Sequence, residues 1–271
     1  MNKNIFIIIG ITIVITLFLL SGFASLLSPY NPADQNLYER LQEPGLSHLL
    51  GQDSLGRDIL SRLIYGSRVS LKVGFLTIFI SGIIGTFVGS VAGYYGGRID
   101  RILMQICDIF LAFPGLLMAI TLIAILGPGL NNVIFALCIM GWVSYARLVR
   151  GQILSLKNLD YIQAAVACGI SDMRIILKHL LPNLMTPIIV HSTFGMAGAI
   201  VAEAGLSFLG LGVQPPETSW GMMLSEGRKF LLIAPHMTTF PGLAIMIVVL
   251  GLNLLGDGLR DKLDVKREQN L

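Results

Sequence analysis

Few side chains in this 271-residue chain stand where they could do chemistry, and their spacing limits what that chemistry would be. Asp108 and Glu203 lie at the edges of long apolar runs, where an ionisable group faces a bundle interior or a partner. Asp108 follows Arg101 by seven residues, about two helical turns, so the two share a helix face. A structural ion pair is favoured there over a proton relay. Glu203 precedes Gly205, Gly210 and Gly212, which let the backbone bend or re-enter; a gate role and packing at a subunit interface both fit. His191 and the His236-Met237 pair are the candidate metal ligands, but neither has a ligand spacing, so no metal site is expected. Cys107, Cys138 and Cys168 also lack metal-like spacing and read as buried free thiols. No serine has an identifiable base, and no G-x-x-x-x-G-K-S/T run offers a phosphate cradle. The chain is expected to be non-catalytic and to bind no cofactor itself.

The elements that hold these residues are built for a membrane. Hydrophobic residues make up 54% of the chain and charged ones only 13%, with thirty glycines of the kind that let membrane helices approach closely. The net charge of +3 is spread among loops, which argues against a nucleic-acid partner. Apolar runs long enough to cross a bilayer cover 5–27, 73–97, 108–127, 130–146, 183 to beyond 202, and 237–256. The fold class expected is therefore all-α, a polytopic membrane protein with about six transmembrane helices. Gly127-Pro128-Gly129 separates the third run from the fourth, and Pro114 kinks the third. The first run reads as a retained anchor rather than a cleaved signal. With the N-terminus inside, twelve of the nineteen Lys and Arg residues fall on inside segments, so both termini are expected in the cytoplasm.

Between the fourth and fifth runs lies a polar, helix-forming stretch, DYIQAAVACGISDMRIILKHLLP, residues 160–182. Gly169 can close one short helix in a left-handed conformation. Ser171 and Asp172 can cap and charge the next helix, and Pro182 is expected to end it. Such a helix–turn–helix on a membrane protein is a docking element.

The stretch resembles the EAA loop of bacterial ABC-importer permeases: E-A-A, three residues, G, nine residues, I-x-L-P. Ala164, Ala165, Gly169, Leu181 and Pro182 match, while Gln163 stands for Glu and His179 for Ile. The resemblance implies a type I permease fold in the bacterial cytoplasmic (inner) membrane. It implies a coupling helix docked on an ATPase subunit through Gln163, Ala164, Ala165, Gly169, Asp172, Arg174, Lys178, Leu181 and Pro182. The partners implied are a second homologous permease, two ATPase subunits carrying ATP and Mg, an extracytoplasmic solute-binding protein, and membrane lipid.

Three further stretches are similar to the dipeptide, oligopeptide and nickel branch of that family. In residues 48–71, Gly51, Asp53, Gly56, Arg57, Asp58, Ser61, Arg62, Gly66, Arg68, Ser70 and Leu71 match its signature, with Gln52 in place of Thr. By composition alone this is a solvated outer loop leading into an amphipathic helix, in which Asp53, Arg57, Asp58 and Arg62 can pair at helical spacing. Residues 96–120 and 203–224 match as well, and Trp220 in the latter suits an interfacial anchor. The expected organisation is an anchor with an outer segment (1–72), a permease domain (73–265) and a cytoplasmic tail (266–271). The expected function is half of an ATP-driven import pathway, leaning towards nickel-type cargo over peptides. The alternative is a stand-alone secondary transporter or channel, which needs ionisable groups at the membrane midplane.

Overall fold

The computed structural model describes residues 3–268, with side chains described from 5 to 262. The order is α1 (Lys3–Gly22), α2 (Ala24–Leu27), a cap segment over 28–58, α3 (Ile59–Tyr95), α4 (Gly97–Leu111) and α5 (Gly115–Leu126). Then come α6 (Leu130–Leu156), α7 (Asp160–Ala167), α8 (Asp172–Ile175), α9 (Leu181–Phe208), α10 (Trp220–Gly227) and α11 (His236–Glu268). Among the described residues no strand forms; one isolated bridge joins Gln52 to Asp58.

Five helices are long and apolar enough to cross a membrane, or six if the bent pair α4–α5 counts as one. The helices differ from the runs in instructive ways. Helix α3 is 37 residues long and begins well before the apolar run at 73, so it passes unbroken across the boundary expected at 72/73. The third run is not a single span: Ala112–Pro114 break it, and α4 and α5 meet at 80°. Helix α6 continues ten residues past the apolar run, and its later turns carry Arg147 and Arg150, which pair with Asp108 and Asp100 while staying partly exposed. Helix α11 takes in residues 266–268 of the expected tail; residues 269–271 lie outside the described residues.

Helices α3 and α6 pack backbone to backbone. Gly85, Gly89 and Gly93 form a stripe on α3 at four-residue spacing. A Cβ at Gly89 would meet the Ala146 carbonyl and stand 2.9 Å from Val149 Cβ, and one at Gly93 would stand 2.9 Å from Ile153 Cβ. Small residues at this spacing let membrane helices gain dispersion contacts that larger ones forbid. The first and last spans close in the same way: Gly10 of α1 abuts Leu255, and Gly251 of α11 abuts Ile13. Trp220 is not an interfacial anchor. It is 2% exposed, and its Nε1 donates to the Leu63 carbonyl at 2.8 Å, because α10 folds back onto α3 and α9.

Gly89→Leu should force α3 and α6 apart. Overpacking of this kind costs about 1–3 kcal/mol, so the detergent-solubilised variant should melt several degrees lower, as thermal-shift fluorescence would register. An unchanged melting temperature would contradict the close approach.

Candidate functional site

The polar stretch folds as a helix–turn–helix whose turn is set by Gly169. Its φ of +74° is left-handed. Gly169 N–H donates to Val166 O at 2.9 Å and Ile170 N–H to Ala165 O at 3.2 Å, the paired bonds of a Schellman ending. Ser171 occupies the N-cap position of α8 but makes no side-chain cap bond; its carbonyl takes Arg174 N–H and Ile175 N–H instead. Pro182 does not end the second helix. A π-turn over Ile176–Leu180 joins α8 to α9, and Pro182 sits in the first turn of α9, where its missing N–H costs little.

One face of this element is anchored and the other is open. Ile162, Ala165, Ile175, Ile176 and Leu180 are buried against Val149, Ile153 and Leu156 of α6, with Leu181 packed alongside. Gln163, Ala164, Gly169, Asp172, Arg174 and Lys178 are exposed, with Pro182 beside them. The expected docking set therefore divides. Ala165 and Leu181 hold the element in place, and the others form its outer surface. Asp172 is partly engaged, since Tyr94 OH at the end of α3 donates to its Oδ1 at 2.8 Å.

Helix α4 lies against the same end of α6. Asp100 pairs with Arg150, and Asp108 pairs with Arg147 rather than with Arg101. Asp108 is 62% exposed in this chain, with Arg147 as its ion-pair partner. Shared helix face could not reveal a partner on another helix.

The signature residues of 48–71 collect at the opposite end, and all but exposed Arg68 and half-buried Leu71 are buried rather than solvated. Asp53 accepts from Arg57 Nε at 2.6 Å and from Arg62 Nη1. Both arginines also reach Glu226 of α10, at 2.9 and 2.7 Å, and Arg62 and Asp53 side chains are each only 2% exposed. Asp58 caps α3 through Ser61 N–H at 2.7 Å and binds His48 Nδ1 at 2.9 Å. Gly51 packs against the His236 ring, and Gly56 lies against the Asn36 backbone. Gly66 lies under the Trp220 indole, and Arg68 Nε donates to Ser21 O at 2.8 Å. These residues lock the cap segment to α3, α10 and α11. Glu226 was not legible beforehand, because its partners are more than 160 residues away in sequence.

Glu203 is fully buried beneath α10, with Oε1 accepting from Ser207 Oγ at 2.6 Å. Its side chain is therefore enclosed by this chain's own helices. Helix α9 ends just beyond it, where Gly210 has a φ of +81°. Gly205 remains within α9, and Gly212 is pressed against Ser207. Cys107 and Cys138 are buried, while Cys168, expected to be buried, is exposed. His236 Nε2 lies 3.2 Å from Gln52 O, and His191 Nε2 lies 3.1 Å from Ser144 Oγ. Among the described residues no group of three His, Cys, Asp or Glu could hold a metal.

The structure is thus an all-helical chain with five or six candidate spans and an exposed helix–turn–helix whose second helix runs into one of them. Residues 85–269 match the family described as binding-protein-dependent transport system inner membrane component, and residues 2–44 match the N-terminal TM domain of oligopeptide transport permease C. The chain belongs to this family of ABC-importer permeases, multi-pass inner-membrane proteins. It is 47% identical over 266 residues to the dipeptide transport system permease protein DppC of Alkalihalophilus pseudofirmus, covering 98% of this chain and 88% of that one. It is 48% identical over 254 residues to the glutathione transport system permease protein GsiD of Pectobacterium atrosepticum, covering 93% and 84%. Neither is named for nickel. The methionine ABC transporter MetNI, solved facing inward, has a chain of the same fold, with a TM-score of 0.61 at 21% identity over 73% of this chain and 94% of that one.

A Cβ at Gly169 would meet nothing within 4 Å, so within this chain substitution there acts through the left-handed backbone alone. A β-branched residue costs about 1–2 kcal/mol in that region, whereas Asn tolerates it. Gly169→Val should loosen the turn, speeding limited proteolysis within 166–172 by about tenfold, while Gly169→Asn should cleave at nearly the parent rate. Equal cleavage of the two would refute the backbone account.

Proposed function

We propose that this chain is one of two permease subunits of an ATP-driven importer of short peptides. The observation that carries it is the exposed face of α7–α8, whose second helix runs on into the span α9. The second subunit is a homologous permease, and two ATPase subunits bind ATP and Mg and dock on Gln163, Ala164, Gly169, Arg174 and Lys178. An extracytoplasmic solute-binding protein delivers the cargo. The chain itself performs no chemistry. Both termini are cytoplasmic, which places α7–α8 where an ATPase can reach it.

Short peptides are the cargo class because dipeptide and glutathione permeases are its relatives, and the two cargoes share free carboxylates and backbone amides. Movement follows from the differential affinity of ATP for two arrangements of the ATPases. Closure displaces α7–α8, and α9 carries that displacement into the bilayer.

The complete complex, copurified in mild detergent and reconstituted with its binding protein, should accumulate dialanine only with ATP. Gly169→Asp should insert and assemble normally yet lose most of that uptake. Accumulation driven by a proton gradient without ATP would overturn the importer mechanism, and full uptake by Gly169→Asp would overturn the docking role.

A further inference from the structure

The turn between α10 and α11 is braced so that it holds apolar side chains outward. Phe230 O accepts from Ile233 N–H at 3.0 Å and from Ala234 N–H at 2.7 Å, which closes a compact loop. The two ends of that loop face inward. Ala234 is fully buried in the cluster that holds Met223 and Met237, and Phe230 packs against the same cluster, as do Leu41 and Leu50 of the cap segment. Leu231, Leu232 and Ile233 between them are 53%, 100% and 70% exposed. A lone exposed leucine is ordinary, whereas three apolar residues in a row at the tip of a braced turn mark a surface that something covers.

Position and charge together identify the occupant. The span in α11 begins at His236, and its apolar run, 237–256, is about as long as a hydrocarbon core is thick. The tip therefore stands a few residues from the edge of that core, at the level of the lipid headgroups. Arg228 and Lys229 precede it and are exposed. Among the described residues neither joins an ion pair. The neighbouring carboxylate, Glu226, is taken by Arg57 and Arg62, and no acidic residue follows before Asp257. Arg228 lies over the Phe208 ring at 5.1 Å, which steadies it beside the tip. Apolar side chains flanked by unpaired cations suit one environment above others: the boundary of an anionic leaflet, where the apolar part meets acyl chains and the cations meet phosphate.

We propose that Leu231, Leu232 and Ile233 form a shallow wedge in the headgroup layer, with Arg228 and Lys229 on the phosphates of anionic lipid. The wedge fastens the corner between α10 and α11 to the bilayer, and through Glu226 of α10 it fastens the ion-paired cap end as well. It depends on α11 crossing the membrane and on nothing about the cargo.

The complete complex, reconstituted in vesicles of phosphatidylcholine and phosphatidylglycerol, tests it. In a Cys168→Ser background, a bimane label on Leu232→Cys should be quenched more by lipid spin-labelled near the glycerol than by lipid spin-labelled at the chain end. Acrylamide in the water should quench it less than it quenches free dye. Spin-labelled phosphatidylglycerol should quench about fivefold more than spin-labelled phosphatidylcholine at equal content, the enrichment expected of one basic residue at a charged surface. Lys229→Gln should remove most of that preference. Full access to acrylamide would place the tip in water, and stronger quenching from chain ends would place it in hydrocarbon. Equal quenching by the two lipids would deny the phosphate contact, and shielding that appears only when the binding protein is added would make the tip a protein-docking surface. Each of these results overturns the wedge. Ile233→Cys, labelled in the same way, supplies the same readout where a label at Leu232→Cys blocks assembly.

Discussion

Direct contact between the backbones of α3 and α6 is the constraint on which the rest of the molecule depends. Gly85, Gly89 and Gly93 bring the two axes together, and everything at that end of the bundle is then referred to α6. Ile153 and Leu156 become the floor on which α7 and α8 rest. Arg147 and Arg150 become the posts that hold α4 through Asp108 and Asp100. Tyr94, at the end of α3, arrives within reach of Asp172. In a bilayer this economy has a physical cause. Lipid offers no hydrophobic penalty for separating helices, so association relies on close packing and paired polar groups.

The opposite end is held by charge instead. Asp53, Arg57, Arg62 and Glu226 form a network that excludes most water. Isolated charges so placed would be prohibitively costly, but each here has at least one opposite partner and a hydrogen bond. The network binds three parts of the chain that are remote in sequence: the cap segment, the start of α3 and helix α10. Close packing with partly exposed ion pairs therefore fixes one end of the bundle and a buried charge network the other, with long apolar helices between.

What the residues revealed in advance follows from these two regimes. The long spans and the left-handed turn at Gly169 were legible because local backbone chemistry dictates them, and Pro114 announced a kink where the chain in fact turns by 80°. The burial of 51–62 was not, since mutually paired Asp and Arg side chains have the same composition as solvated ones. Nor was Arg147 as the partner of Asp108: periodicity places a residue on a face but says nothing of the helix opposite. Trp220 misled because an indole that donates to a carbonyl inside a bundle looks, in sequence, like one placed at a headgroup. Pro182 misled because proline is equally at home just after one helix and in the first turn of the next.

The π-turn at Ile176–Leu180 has a mechanical consequence. A turn closed from i to i+5 holds one residue more than the α pattern needs, so the faces before and after it are out of phase. Asp172–Phe208 is thereby a single 37-residue rod whose two ends are indexed separately. The short end presents its surface at one azimuth, and the long end lines the bundle at another. A surface offered by the short end and one offered by the long end are thereby set at different angles on one continuous helix.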